Sequence, residues 1–286
     1  MLPHGSPMQP VFSADGTLLV TVPGAGAETE CRLHRLDRNT PPTPGPHGTP
    51  LGIDREGRWL VQERPGILAW LPADGATSRK EIRLGAEPGE RVDYQEGAVS
   101  PGLGLAAGIG QDGTVWIWET HDGRLRSRRR IPGLVAVGAA FSRDGRWLAV
   151  AAEEQGAWIC PVDNGTCRRL DRHRDQVRSV AFTPDSRVLA TASVDATVGL
   201  WTVPDLEPIA LLRGHRASAD SVDRSPDGRL VASLETGSGI RLWDLATRRE
   251  LAVLDVPDAG NLLRFSPDGR HLAVRTVSGI RLISAP

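Results

Sequence analysis

The feature that most constrains this chain is a short turn motif that returns at nearly constant spacing. Its clearest form is Phe-Ser-x-Asp-Gly, and weaker variants share its position in the period. Seven copies begin at Phe12, Ile53, Val99, Phe141, Phe182, Arg224 and Phe265. Successive copies are 41, 46, 42, 41, 42 and 41 residues apart. Because so regular a period reflects a repeated structural unit, the chain is predicted to consist of seven copies of one module.

The module is clearest between residues 173 and 201, where short apolar runs alternate with turn residues. Val177–Phe182 and Val188–Ser193 have strand length and are rich in Val, Ala, Leu or Thr. Pro184-Asp185-Ser186 separates them, and Asp195-Ala196 follows the second run. About four such runs fill each period, which predicts an all-β fold. The expected fold is a seven-bladed β-propeller of four-stranded antiparallel blades.

The module resembles the WD40 repeat, which runs from a Gly-His turn to a Trp-Asp pair. Gly214-His215 and Trp243-Asp244 match both ends of that pattern. Asp112-Gly113 and the following strand match its centre. The resemblance covers essentially the whole chain. Tryptophan occupies the expected third-strand position in four copies, at Trp70, Trp118, Trp201 and Trp243.

The first and last blades are expected to be irregular. Five prolines between positions 41 and 50 occupy the place of the fourth strand of blade 1, so that strand is predicted to be degenerate. Blade 7 has three strand-length runs and then Ser284-Ala285-Pro286, so it is predicted to lack its outer strand. In WD40 proteins the N-terminus often supplies that strand, yet only two residues precede Pro3-His4-Gly5. Residues 1–286 are therefore predicted to form a single propeller domain, the C-terminal part of a longer protein.

The resemblance implies a buried hydrogen-bond relay within each ideal blade. In blade 5 it would link His173, Asp195, Thr191 and Trp201. A His, Asp and Thr set resembles a hydrolase triad, but here the spacing recurs with the repeat and a tryptophan completes it. The set is therefore interpreted as structural, and no catalytic residue is predicted.

Other blades are expected to lack the full relay. Blade 6 keeps His215, Ser233 and Trp243 but has Gly237 where the aspartate belongs. Blade 3 keeps an aspartate and a tryptophan without the histidine. Most blades are therefore expected to rely on packing rather than on the relay.

The resemblance also implies a function in protein binding, because WD40 proteins grip peptides or partner domains with loops on one face. The positions entering the inner strands include four polar residues as candidate partner contacts: Gln95, Arg178, Asp220 and Asn261. Similar bacterial propellers often follow a signalling NTPase or a protein kinase domain. The predicted function is an interaction scaffold, a sensor or regulatory domain of a larger bacterial signalling protein.

The alternative is a propeller enzyme or gating domain, lactonase-like or associated with a peptidase. It requires polar side chains that converge on the channel, and the inner strands offer mainly Asp220, Asp223, Arg224 and Arg264 among Val, Ala, Ser and Gly. A non-enzymatic protein is therefore predicted. The seven histidines are scattered without metal-binding spacing, so no metal or other cofactor is expected.

The composition limits the partners and the location. The formal net charge is −1 and Lys80 is the only lysine, which disfavours nucleic acid as a partner. No apolar run approaches the length of about 18 residues that crosses a membrane, and no signal peptide begins the chain. A cytoplasmic protein that does not bind membranes is predicted.

Two further features leave alternatives open. Cys160 and Cys167 flank Asp163-Asn164-Gly165, and they face each other only if the turn is centred on Asp163-Asn164. The total of three cysteines favours free thiols. On the predicted outer strand of blade 3, alternation places Arg126, Arg128 and Arg130 on one face. These charges either protect a solvated edge from aggregation or dock an acidic partner.

Overall fold

A computed structural model of the protein describes residues 10–13, 15–21, 31–37, 40–45, 49–54, 56–64, 66–72, 79–85, 92, 94, 96–154 and 156–284. Within these ranges the regular structure is β-strand apart from a three-residue 3₁₀ turn, Pro101–Leu103. No helix in this part of the chain is long and apolar enough to cross a membrane. The chain divides into two compact units, Met1–Arg130 and Ile131–Pro286.

The first unit contains three antiparallel sheets, and each has four strands in the order of the chain or its reverse. Blade 1 comprises β1 (Val11–Phe12), β2 (Leu18–Thr21), β3 (Arg32–Arg35) and β4 (Thr43–Pro44). Blade 2 comprises β5 (Thr49–Ile53), β6 (Trp59–Arg64), β7 (Ile67–Leu71) and β8 (Lys80–Arg83). Blade 3 comprises β9 (Glu96–Ser100), β10 (Leu105–Ile109), β11 (Thr114–Glu119) and β12 (Leu125–Arg130).

The second unit contains four more sheets of the same kind. Blade 4 comprises β13 (Ala136–Phe141), β14 (Trp147–Ala152), β15 (Ala157–Pro161) and β16 (Arg168–Leu170). Blade 5 comprises β17 (Val177–Phe182), β18 (Val188–Ser193), β19 (Thr197–Thr202) and β20 (Pro208–Arg213). Blade 6 comprises β21 (Ser221–Arg224), β22 (Leu230–Glu235), β23 (Gly239–Asp244) and β24 (Glu250–Asp255). Blade 7 comprises β25 (Ala259–Phe265), β26 (His271–Thr276) and β27 (Gly279–Ser284).

This succession of sheets confirms the predicted all-β fold class, a seven-bladed β-propeller of antiparallel blades. Blade 7 has three strands among the described residues, as predicted. The outer strand of blade 1 is degenerate, since β4 has two residues and lies in the proline-rich stretch. Whether residues 1–286 are the C-terminal part of a longer protein stays a prediction.

The turn motif has a defined physical role between the first and second strands of a blade. In blade 4, Ser142 Oγ donates to Asp144 Oδ1 at 2.6 Å and accepts the backbone N–H of Trp147 at 2.9 Å. The same carboxylate accepts the N–H of Arg146. Gly145 follows the aspartate with a φ of 72°, a conformation that glycine adopts without strain. The motif therefore fixes the hairpin from which the strand pairing continues.

Neighbouring inner strands of the second unit are tied together one repeat apart. Ser221 Oγ accepts the backbone N–H of Leu263 at 3.2 Å. Asp223 Oδ2 accepts the N–H of Phe265 at 2.8 Å. Between blades 5 and 6, apolar side chains including Leu200 pack into one buried cluster with Trp243. The inner strands are thus held by both hydrogen bonds and apolar packing.

The structure contradicts the expectation of free thiols at the end of blade 4. Cys160 and Cys167 form a disulfide bond with a Cα–Cα distance of 4.2 Å. Ile159 pairs with Arg168 in the ladder, so the next two residues face each other across the turn. This is the register centred on Asp163-Asn164. A count of three cysteines could not reveal it, because local register decides which pair can bond.

Candidate functional site

The relay expected in blade 5 joins four buried or half-buried side chains. The Nδ1 atom of His173 lies 3.0 Å from Asp195 Oδ2, and its Nε2 atom lies 2.7 Å from Thr191 Oγ1. The indole Nε1 of Trp201 donates to the same hydroxyl at 3.0 Å. The structure thus brings together all four residues that the resemblance implied.

The electrostatics of this group are those of a structural network. Burial lowers the pKa of His173, and the hydrogen bond that its Nδ1–H donates to Asp195 only partly offsets that effect. Burial raises the pKa of Asp195, but hydrogen bonds from Thr197, the Arg174 backbone and His173 outweigh it and leave the pKa lowered. A neutral imidazole therefore faces an ionised carboxylate. The histidine side chain of this pair is 0% exposed.

Blade 6 corrects the expectation that it lacks the acidic member of the relay. Glu235 supplies the carboxylate, with its Oε2 3.3 Å from His215 Nδ1. The other imidazole nitrogen lies 2.6 Å from Ser233 Oγ, which accepts the indole N–H of Trp243 at 2.8 Å. Gly237 leaves the expected position without a carboxyl group. The longer side chain of a residue two positions earlier occupies the same place in the network.

Both relay carboxylates also hold the loop that leads into an inner strand. Asp195 Oδ2 accepts the backbone N–H of Arg174 at 2.9 Å. Glu235 Oε2 accepts the backbone N–H of Arg216 at 2.9 Å. Both arginines have exposed side chains, so the network reaches from the buried histidine to the surface. The loops before β17 and β21 are therefore anchored from within.

Blade 3 has no histidine relay and is filled by aromatic rings instead. Trp116 and Trp118 stack with ring centroids 6.2 Å apart and planes 9° apart. Tyr94 packs against Trp118, and its hydroxyl accepts a hydrogen bond from Gln62 at 2.9 Å. The Nε1 of Trp116 is buried without a hydrogen-bond partner. This blade is therefore consistent with the expectation that packing replaces the relay.

The candidate partner contacts lie where the inner strands of the second unit begin; this surface, defined by Arg178, Asp220 and Asn261, is called the entry face. Arg178 has a 44% exposed side chain, with its Nε 3.5 Å from Asp220 Oδ1. Asn261 is exposed, and its Oδ1 accepts a hydrogen bond from Arg275 at 3.3 Å. Gln95 lies outside the described residues.

Asp220 is more enclosed than the sequence suggested. Its Oδ1 accepts from the hydroxyl of Ser218 at 2.6 Å, and its Oδ2 accepts the N–H of Thr236 at 3.1 Å. Only 8% of its side chain is exposed. It therefore orients Arg178 and fixes a loop, which leaves Arg178 and Asn261 as the accessible members of the entry face.

Two of the polar inner-strand residues that an enzyme would need, Asp223 and Arg224, form hydrogen bonds to neighbouring strands. Asp223 accepts the N–H of Phe265. Arg224 Nε donates to the backbone oxygen of Phe182 at 2.9 Å. These contacts link inner strands of adjacent blades. These hydrogen bonds between blades account for the presence of a charged aspartate and arginine on the inner strand β21.

One group among the described residues has the composition of a metal site. Ligand atoms of Glu119, His121 and Asp122 lie within 4.8 Å of one another on the turn between β11 and β12. Each imidazole nitrogen already faces a carboxylate, at 3.3 Å and 3.0 Å. Arg124 pairs with Glu119 as well. Charge pairing within the turn explains the cluster.

Two consecutive segments of the second unit match a known repeat family. The model of the WD domain, G-beta repeat, family matches residues 164–202 and 206–244, which contain the relay tryptophans of blades 5 and 6. Residues 164–202 and 206–244 are thus two WD40 repeats. Proteins of this family generally act as protein-interaction scaffolds and are mostly non-enzymatic.

Three relatives show how far the likeness extends. WD repeat-containing protein SL1-17 of Schistosoma mansoni is 30% identical over 41% of this chain and 39% of its own length. WD repeat-containing protein 1-A of Xenopus laevis is 30% identical over 41% of this chain and 20% of its own. The LST8 homolog of Drosophila melanogaster is 26% identical over 55% of this chain and 52% of its own. The matches thus span about half or less of each relative.

The residues alone did not single out Glu96, a buried carboxyl group on an inner strand. Glu96 opens β9, one position after Gln95, and lies opposite Ile109. Burial raises the pKa of its carboxyl group to about 7, an effect that a hydrogen bond from the Gly97 backbone reduces. The only signal in the sequence was a carboxylate at the start of an otherwise apolar inner strand.

Proposed function

We propose that this chain is an interaction scaffold that binds a peptide or a partner domain at the entry face. In this proposal it is a sensor or regulatory domain of a larger bacterial signalling protein, with an NTPase or kinase domain in the same chain. The two WD40 repeats matched at residues 164–202 and 206–244 support the general role. The anchored loops before β17 and β21 support the choice of face, and they are the observation that carries the proposal.

Anchoring matters because a rigid loop loses less conformational entropy when a partner binds. The Arg174 and Arg216 amides are fixed by buried carboxylates rather than by solvent. Arg178, the second residue of β17, is oriented through its Nε by the nearly buried Asp220. A guanidinium held in this way keeps donors for a carboxylate or carbonyl of the partner.

The proposal is tested by affinity capture with the purified chain, followed by quantitative mass spectrometry of the source organism's lysate. The test variant is Arg178→Ala with Asn261→Ala. Arg187→Ala is the matched control, because that exposed arginine lies on the turn between β17 and β18 at the opposite end of β17. The expected result is a protein that the wild type and the control capture and the double variant loses. Equal capture by all three would contradict a role for the entry face.

A contact between Gln95 and the partner also stays a prediction. Gln95→Ala is expected to weaken capture of the same protein, because its position in blade 3 corresponds to that of Arg178 in blade 5. An unchanged affinity in a titration with that protein would remove Gln95 from the binding face.

A further inference from the structure

The outer strand of blade 6, β24, exposes two large apolar side chains to solvent. Leu251 and Val253 are 59% and 54% exposed. Among the described residues, the other large apolar side chains that are exposed stand singly, at Leu103, Val135 and Val277. Single exposed apolar residues are ordinary, whereas neighbouring ones form a patch that can serve as a contact surface. The centre of β24 is therefore a candidate interface.

The equivalent strand of blade 5 shows that the fold does not require this exposure. One repeat earlier, β20 has Ile209 and Leu211 at the corresponding positions, and both are half-buried. The two outer strands pair with their third strands in the same way, including one irregularity at the same place. Strand β24 thus leaves open what the matching strand of blade 5 partly covers.

The pairing of β24 with β23 indicates how a partner can reach this patch. The register is continuous from Ala252 to Asp255, and Val253 lies opposite Arg241. Leu251 is the extra residue of a bulge and has no partner in β23. A bulge deters another strand from extending the sheet. A partner would therefore contact the side chains of Leu251 and Val253 rather than continue the hydrogen-bonded ladder.

Charges of opposite sign lie at the two ends of the patch. Arg249 directly precedes β24, and Asp255 is its last residue. Both side chains are exposed, and within the described part of the chain neither takes part in an ion pair. Glu250, by contrast, is paired with Arg241 of β23. The strand thus carries a free positive charge at its start and a free negative charge at its end.

This order of charges is complementary to itself. Arg249 and Asp255 each lie three positions from Ala252, and Leu251 and Val253 each lie one position from it. If two copies of β24 lie antiparallel about a twofold axis at Ala252, Arg249 of each copy meets Asp255 of the other. Leu251 of each copy then meets Val253 of the other. A symmetric interface requires such a surface, in which one patch serves both subunits.

We propose that β24 is the contact surface of a symmetric dimer of this chain. Apolar contact at the centre supplies the attraction, and the two terminal ion pairs fix the antiparallel direction. One strand from each copy buries less than the roughly 800 Å² per partner of a stable interface, so the dimer is weak, with a Kd in the micromolar range. No residue of the entry face takes part, and each surface can fail its test alone.

Sedimentation velocity of the full chain, between about 5 and about 500 µM, tests the proposal. The wild type is expected to shift from monomer towards dimer as its concentration rises. Leu251→Ser with Val253→Ser should weaken dimerisation at least about tenfold, because the apolar contact is lost. Val277→Ser is the matched control, since that side chain is 92% exposed on the turn between β26 and β27. It should change the Kd less than about twofold.

A charge exchange tests the antiparallel register. Arg249→Asp alone and Asp255→Arg alone should each weaken dimerisation about tenfold, because like charges then face each other at both ends. An equimolar mixture of these two variants should recover a Kd within about threefold of the wild-type value. In the mixed dimer both terminal pairs again join opposite charges.

Three results would each overturn the proposal. They are a wild type that stays monomeric up to about 500 µM, an equal loss in the Val277 control, and a mixture of charge variants that associates no better than either variant alone. If the apolar double variant does not fold, the charge variants decide the matter, because both substitutions alter exposed side chains.

Discussion

Blades 3 and 5 have the same four-stranded meander, but the glycine and the larger residue of one cross-strand pair are exchanged between them. In blade 5 the cross-strand pair is Thr191 with Gly199, and in blade 3 the corresponding pair is Gly108 with Trp116. A Cβ on Gly199 would lie 2.6 Å from the hydroxyl of Thr191, so this glycine makes room for the relay. A Cβ on Gly108 would lie 3.0 Å from the ring of Tyr94.

The difference shows that the side chains on the second and third strands of a blade must fill the available volume, and that they can do so without one particular network. A hydrogen-bonded relay fills it in blade 5, and stacked rings fill it in blade 3. Among the described residues, the relay carboxylates of blades 5 and 6 also accept backbone amides of surface loops. In these two blades the side chains that fill the blade therefore also anchor the loops of the entry face.

The largest expected effect comes from filling the space beneath the relay. Gly199→Ala should lower the free energy of unfolding by about 3 kcal/mol, because the new methyl group separates His173 and Trp201 from the Thr191 hydroxyl. Urea denaturation measures the change. Gly102→Ala is the control, since a Cβ there meets no atom within 4 Å. Equal stability of the two variants would show that the relay contributes little.

Removing the acidic member of the relay ranks next. Asp195→Ala should cost about 2–3 kcal/mol, because it removes a hydrogen bond and leaves His173 and the Arg174 amide without their acceptor. The matched variant is Asp112→Ala in blade 3, where the carboxylate accepts hydrogen bonds from Thr114 and forms only a long ion pair, 3.9 Å, with Arg130. That variant should lose less stability in the same denaturation experiment. If both variants lost the same stability, blade 5 would have no special network.

Variants of Glu235 in blade 6 test whether the length of its side chain allows it to complete the relay. Glu235→Ala should cost about 2 kcal/mol. Glu235→Asp should cost nearly as much, because a side chain shorter by one methylene does not reach His215 from this position. Thermal unfolding of the two variants and the wild type checks this prediction. Wild-type stability of Glu235→Asp would contradict the assigned geometry.

The smallest expected effect is a dependence of stability on pH. Burial lowers the pKa of His173 and His215 below the ordinary value of 6.5 in the folded chain. The unfolded chain therefore binds more protons as the pH falls through 6.5, and stability is lost below that pH but present above it. Between pH 7.5 and 5.5 the loss should be about 1–2 kcal/mol.

The variant His173→Gln with His215→Gln is the control for this pH effect. It removes both titrating groups of the relays, so its stability should change less over the same range. An equal change in wild type and variant would assign the pH dependence to other groups.

The period of the turn motif predicted the seven blades because the motif itself forms the hairpin, as the contacts of Ser142 and Asp144 show. The blade 5 relay was predictable because its four residues stand at the family's positions. The blade 6 relay was not, since Glu235 reaches the same imidazole nitrogen from another position. Side-chain length and strand register, which also decided the Cys160–Cys167 bond, cannot be read from residue type alone.

Carboxylates within blades 5 and 6 hold the loops that lead into the entry face. Amide hydrogen exchange, resolved to single residues by NMR, measures this anchoring. We expect the Arg174 and Arg216 amides to exchange slowly although both side chains are exposed. We expect Asp195→Ala to release only the Arg174 amide, and Glu235→Ala to release only the Arg216 amide. Fast exchange of both amides in the wild type, or release of both by either substitution, would contradict it.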